Sequence, residues 1–230
     1  MLTLVFVEAA LETVPERMWR YASVRQDVKR RGKSPDTILL DRALHHRAMQ
    51  NLPRSEKRGR PDIVHLCLLN ALGTPLNWQG NLCTYVHTIQ GKSISVAPTV
   101  RLPRNYGRFL GLMEQLFSVK SIPPGKGDLL RMQDLSLEAL IRQVSPSLVV
   151  ALSSHGVRTD LAELCTSLML HERPLVMLGA YPHGPMEPET IALADHCISI
   201  CDAVLDAWTV TARLVYQFEL TLQRRESVHR

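Results

Sequence analysis

Four arginines and one aspartate form the first group in this sequence with the residue types and spacing for chemistry. Arg60 and Asp62 straddle Pro61 at the head of an apolar run, so a carboxylate lies within reach of a guanidinium. Structurally that pattern is a capped helix start. Functionally it is a guanidinium held ready for a phosphate or a base. Arg101, Arg104 and Arg108 are spaced by three and four, which on a helix puts all three on one face. No acid interleaves them, and the next carboxylate is Glu114. A solvated face normally mixes signs, so an unneutralised stripe favours a phosphate-binding surface.

The second group lies between Leu175 and Leu205. The run Leu175-Val176-Met177-Leu178 has the length of one buried strand, and it breaks into Gly179-Ala180-Tyr181-Pro182-His183-Gly184-Pro185. Two glycines and two prolines exclude helix and strand there, and glycine lets a ligand approach the backbone. A second strand, 197–200, runs into Cys201-Asp202, with Asp202 the expected N-cap of a long helix over 203–224. A third strand, 148–152, ends in Ser153-Ser154-His155-Gly156. Three strand ends leading into loops can build a crevice at the carboxyl edge of a parallel sheet, where α/β folds bind ligands. The plainer alternative is a set of ordinary strand–helix turns. No GxGxxG fingerprint is present, and Pro123-Pro124-Gly125-Lys126-Gly127 lacks P-loop spacing. Cys197 and Cys201 have no second ligand pair beside them, so they read as small apolar residues and no metal is expected.

The elements that must position these residues follow from the bulk pattern. The chain has 230 residues, 45% hydrophobic and 21% charged, which excludes wholesale disorder. Its net charge of +5 leans towards a polyanionic partner. Five cysteines without a CxxC pair fit reduced thiols inside a cell. Nothing is apolar for long enough to span a membrane, and the opening residues read as a first strand. Strand 2–11 is expected to lead into a short helix over 12–22, then a basic loop or helix face over 24–33. Helices follow up to Met49 and over 63–72, the latter closed by Gly73, and then a hairpin of 82–89 with 92–96. After a junction at 121–128 come strand 129–132, helix 135–144, strand 148–152 and helix 159–169. The alternation implies a parallel sheet covered on both faces.

Taken together, Arg60-Pro61-Asp62-Ile63 with His65, Thr74-Pro75-Leu76-Asn77, Arg101-Leu102-Pro103-Arg104 with Arg108-Phe109, and Gly179 to Gly184 carry a family resemblance. The sequence resembles the Nep/Emg family of small-subunit rRNA pseudouridine-N1 methyltransferases, of the SPOUT class, and looks most like its archaeal branch. The resemblance implies an α/β fold with a parallel sheet flanked by helices, a C-terminal trefoil knot and an N-terminal elaboration. It implies one domain over 1–230, with the RNA-binding surface in 1–120 and the cofactor-binding knot in 121–230. S-adenosylmethionine, leaving as S-adenosylhomocysteine, would contact Ser154, His155, Gly179, Gly184 and the loop Ile200, Cys201, Asp202, Ala203, Val204 and Leu205. Small-subunit rRNA would contact Arg60, Arg101, Arg104 and Arg108, with Asp62 holding Arg60. The protein would be a cytoplasmic homodimer that methylates N1 of a pseudouridine in a hairpin loop during ribosome biogenesis. The proton acceptor stays open between Asp62, whose pairing with Arg60 is the stronger role, and His183. Two rivals remain: an RNA-binding ribosome-assembly factor whose methyltransferase activity is secondary, and a small-molecule enzyme on a conventional doubly wound sheet. The arginine stripe argues against the latter.

Overall fold

The first strand, β1 (Leu2–Ala9), is buried along its whole length, as only an interior strand of a doubly covered sheet can be. In the computed structural model, which describes residues 1–125 and 127–228, β1 lies between β2 (Leu82–Thr88) and β7 (Pro174–Gly179) and runs parallel to both. Beyond β7 come β6 (Leu148–Arg158) and then β8 (His196–Ser199), again parallel. On the other side β2 turns through Gly91 (φ 74°) into antiparallel β3 (Lys92–Val96), as the hairpin signal predicted. The sheet is completed by β5 (Leu130–Asp134) and the two-residue β4 (Ser121–Ile122). The strand expected at 129–132 therefore does not open the parallel series: β5 runs antiparallel to β3. A short strand reads the same in sequence whichever direction its neighbour takes. Lys126, in the junction between β4 and β5, lies outside the described residues.

Period-two alternation divides the sheet's residues between two cores. Leu4, Phe6, Val176 and Leu178 face one way, against α3 (Pro61–Leu72), α5 (Tyr106–Val119), α7 (Leu161–Leu168) and α9 (Ala207–Val228). Val5, Val7, Leu175 and Met177 face the other, against α6 (Leu137–Val144) and α8 (Pro188–Ile191). The short α4 (Pro75–Trp78) packs against α3, α9 and β2. A satellite core of Val14, Met18, Val24, Ile38, Leu40 and Met49 holds α1 (Ala22–Arg31) and α2 (Arg42–Met49). The helix expected over 12–22 is only a 3₁₀ turn at Glu16–Met18. Backbone bonds from Val14 N to Ile38 O and from Leu40 N to Glu12 O draw residues 12–14 into an extended ladder, a tertiary pairing that overrides local preference.

The basic run at 24–33 forms the helix α1 and its exit, the helical of the two expected alternatives. Arg30 reaches Asp27 at 2.6 Å, while Arg31 and Lys33 both grip the buried Glu114 carboxylate of α5 at 2.6 and 2.7 Å. Glu114 also accepts from Leu39 N, so these cations help to dock the satellite core on the main one.

The C-terminal threading is visible in one register. Ile198 of β8 pairs with Leu152 and also with Val157, so residues 153–156 carry β6 across from one edge of β8 to the other. Gly156 makes the crossing. A Cβ there would stand 2.5 Å from the backbone N and C of Ile198, so no side chain fits. β8 is entered from α8 on one face and left for α9, which packs on α3 and α7 on the opposite face. That close crossing of β6 over β8, with α9 leaving on the opposite face, is the arrangement that a C-terminal trefoil knot requires, a rare exception to the rule against knots.

Candidate cofactor and nucleic-acid site

The carboxyl ends of β6, β7 and β8 converge on one cavity of about 710 Å³, within the range of small-molecule sites. Of the residues expected around a cofactor, Ser154, His155, Gly179, Gly184, Ile200, Cys201, Ala203, Val204 and Leu205 all line it. Asp202 does not. Its exposed carboxylate accepts from Arg158 Nε at 3.0 Å, pulling it towards the outer arm of β6. Nor does Asp202 cap the last helix: α9 begins at Ala207, after the carbonyl of Asp206 accepts from Thr209 N and Val210 N. Residues 200–206 stay in loop conformation, and all of them but Asp202 line the cavity.

The two glycines serve different ends. Gly184 has φ +94°, a conformation that side chains rarely adopt, so the loop can turn there only without a Cβ. Gly179 has an ordinary backbone. A Cβ there would stand 2.6 Å from the ring of Tyr181, which folds back over it. Tyr181, Met186, Asp206 and Trp208 also line the cavity, and sequence reasoning did not single them out. Their signal was adjacency to the loops already chosen, which does not say which side chains turn inward.

Arg60 lines the same cavity. Asp62 grips it with two parallel bonds, Nε to Oδ1 at 2.8 Å and Nη2 to Oδ2 at 2.7 Å, and this carboxylate contact raises the arginine's pKa above its usual value. Pro61 starts α3 and Asp62 occupies its first turn, as the spacing suggested.

The other three arginines are arranged differently from expectation. α5 starts at Tyr106 behind Asn105, whose side chain accepts from Arg108 N at 3.0 Å, so only Arg108 is helical. Arg101 and Arg104 lie in the preceding extended arm, and the three do not share a helix face. Pro103 and the Asn105 cap account for this, because both favour a helix that begins after them. All three side chains are exposed, and none forms an ion pair among the described residues. The arm is pinned to α3: buried His65 donates from Nε2 to Pro103 O at 2.7 Å and stacks on Phe109, ring centres 4.2 Å apart. Burial lowers the His65 pKa, consistent with a neutral ring that donates from one nitrogen. Tyr106 Oη donates to Asp41 Oδ2 at 2.8 Å and holds the other end of the arm.

The cavity thus combines apolar residues (Leu178, Ile198, Val210, Trp208) with three loops that follow strands and a preset guanidinium. Apolar walls suit a flat heterocycle, loop N–H and C=O groups suit its polar edge and a ribose, and Arg60 suits an anion. Among the described residues no group of three or more His, Cys, Asp or Glu is placed to hold a metal.

A family model described as EMG1/NEP1 methyltransferase matches residues 4–219. The Nep1 ribosomal RNA small subunit methyltransferase of Thermococcus kodakarensis is 41% identical over 223 residues, covering 96% of this chain and 99% of its own. That of Staphylothermus marinus is 38% identical over 215 residues, covering 93% of each. The crystal structure of Archaeoglobus fulgidus Nep1 bound to S-adenosylhomocysteine superposes with a TM-score of 0.86 at 38% identity, covering 96% of this chain and 98% of that one.

Proposed function

The chain belongs to the EMG1/NEP1 methyltransferase family, and on that premise we propose that it methylates N1 of a pseudouridine in a small-subunit rRNA hairpin during ribosome biogenesis, with S-adenosylmethionine as donor. The observation that carries the reading is the meeting of Arg60 with the loops after β6, β7 and β8 in one cavity. An RNA-facing group and a cofactor-sized crevice are thereby brought side by side. In this reading the cofactor contacts the expected loop residues, Asp202 excepted, and Arg60, Arg101, Arg104 and Arg108 contact RNA. The RNA surface is then drawn from residues 1–120 and the cofactor loops from 121–230.

The residues present fit this cofactor: the Gly184 turn opens a backbone cradle and the apolar walls receive an adenine-like ring. Bound there, S-adenosylmethionine supplies a methyl group already activated on sulfur. The protein's own task is alignment and exclusion of water, which can supply several orders of magnitude of rate. A loop base must leave its stack to reach the cavity, and the arginines would hold the backbone while it does so. The N1 proton departs on or after attack. Asp62 already gives both oxygens to Arg60, so its role is to orient that guanidinium.

We also propose a cytoplasmic homodimer. Val157 and Val204, both exposed, neighbour in sequence the two partners of the Arg158–Asp202 pair, and apolar side chains left in water there suit burial against a second copy. Among the described residues no helix is long and apolar enough to cross a membrane.

The test is incubation with methyl-labelled S-adenosylmethionine and a small-subunit hairpin carrying pseudouridine, beside the same hairpin with uridine. Label should enter only the pseudouridine hairpin. Tight binding of both hairpins with no transfer would leave an RNA-binding assembly factor instead.

A further inference from the structure

Lys57 sits in a stretch that is polar in sequence, yet its side chain is only 3% exposed. Its ammonium is held by three groups. Glu8 Oε2 lies 2.6 Å away, Glu187 Oε1 lies 2.8 Å away, and the Tyr181 ring centre lies 4.5 Å beneath it. Glu187 and Tyr181 both belong to the segment that follows β7, and Tyr181 forms part of the cavity wall. Gly184, in the same segment, faces the Lys57 stem: a Cβ added there would stand 3.5 Å from Cε.

The anchor on the other side is fixed and strained. Glu8 lies at the end of β1, the buried centre of the sheet, with φ 51°, a left-handed conformation unusual for any residue but glycine. That twist swings its carboxylate to accept from Lys57 and, through Oε1, from Glu187 N at 2.8 Å. Strain kept at one residue of a central strand, next to a cavity, usually serves what the residue holds. An ammonium sealed from water with two carboxylates and an aromatic face has few alternative positions, so it fixes whatever carries those partners.

We propose that Lys57 is a positioning residue for the methyl donor. It clamps the 179–187 loop, through Tyr181 and Glu187, to Glu8 of the sheet and so holds the cavity in its binding-competent shape. Lys57 touches neither substrate itself. It also heads the segment that runs through Arg58 to Arg60, so the loop that cradles the cofactor and the guanidinium that faces RNA share one mount. Arg58 is tied down independently, by buried Glu12, which separates the two halves of that mount.

The inference rests on the cofactor lying against the 179–184 loop, and the test separates the two ideas. S-adenosylhomocysteine binding is measured by calorimetry at a temperature where every variant is folded. The variants are Lys57→Met, Glu187→Ala and Ala203→Trp, the last filling the cavity from the β8–α9 loop, away from the clamp. If the clamp keeps the loop competent, Lys57→Met should raise the Kd by about tenfold or more, because the loop then spends most of its time in other conformers. Glu187→Ala leaves the Lys57–Glu8 pair intact, so it tests the clamp even if Lys57→Met fails to fold, and it should raise the Kd several-fold. In turnover assays both should raise KM for S-adenosylmethionine while kcat at saturation and hairpin affinity stay near wild type, a split that general loosening would not give. If Ala203→Trp leaves the Kd unchanged, the cofactor lies elsewhere. If Ala203→Trp abolishes binding but Lys57→Met and Glu187→Ala lower only the melting temperature, the cofactor site stands and the clamp is merely structural.

Discussion

Replacing Asp62 by alanine tests the division of labour at the mouth of the cavity. The two bonds to Arg60 have good geometry, but both side chains are about a third exposed, 34% and 35%. Solvent therefore screens the pair, and its direct contribution to stability is about 1 kcal/mol or less. The position of Asp62 in the first turn of α3 adds about 0.3–1 kcal/mol through the helix dipole. Together the fold should lose no more than about 2 kcal/mol, a fall in Tm of at most about 8 °C for a chain this long. RNA affinity responds to a different quantity. A free arginine gives up as much as about 2 kcal/mol of rotamer freedom when it is ordered, and here much of that freedom is already lost before RNA arrives. Without Asp62 the loss falls on binding, which should weaken by up to about 30-fold. Relief of repulsion between carboxylate and phosphate acts the other way, but at a separation of 4 Å in water it is only about 1 kcal/mol, and Arg60 stands between the two. Fluorescence anisotropy with a labelled hairpin at fixed salt, alongside thermal unfolding, reads both effects. Tighter hairpin binding by Asp62→Ala would show that the carboxylate is a repulsive neighbour and not a brace. A lower Tm with unchanged binding would confine it to stability.

Three further outcomes follow from the same geometry. Arg101→Ala, Arg104→Ala and Arg108→Ala should each weaken hairpin binding and reduce the slope of log K against log salt by about one, with cofactor affinity unaffected; a triple variant with wild-type RNA affinity would move the RNA surface elsewhere. Gly184→Val should lose most S-adenosylhomocysteine binding in calorimetry while circular dichroism stays near wild type, because a side chain at φ +94° forces the cradle to rearrange. His45, His65 and His87 all have pKa values lowered from the usual 6.5, each chiefly by burial, so the folded chain binds protons less readily than the unfolded one. Their contribution to stability is complete above about pH 6.5 and is lost as pH falls, so Tm should drop as the pH is taken below that value; a Tm that stays flat on acidification would mean that these rings are not desolvated as described.

The sequence was sufficient wherever chemistry is local. Pro61 with Asp62 specified the start of α3, Gly91 the β2–β3 turn, and the broken run after Leu178 a loop at a strand end. In each case the residue's own backbone or side-chain limits leave one outcome. The resemblance carried the order of the remaining motifs and, with it, the fold and the donor. What the sequence could not contain is any quantity set by a distant partner. Arg101, Arg104 and Arg108 have helical spacing, yet the Asn105 cap and the His65–Pro103 contact keep the first two in an extended arm. Residues 12–14 looked helical and were taken by the strand-like segment 38–40.

Asp202 had the type and place of an N-cap, but Arg158 claims its carboxylate, because the knot carries the end of β6 past that loop. Lys57 gave no local sign at all. A lysine among serine, glutamate and arginine reads as a solvated side chain, and only Glu8 and Glu187, from the first strand and from far along the chain, make its burial tolerable. Local conformational preference is written in neighbouring residues. The removal of a charge from water is decided by groups that folding alone brings within about 3 Å of it.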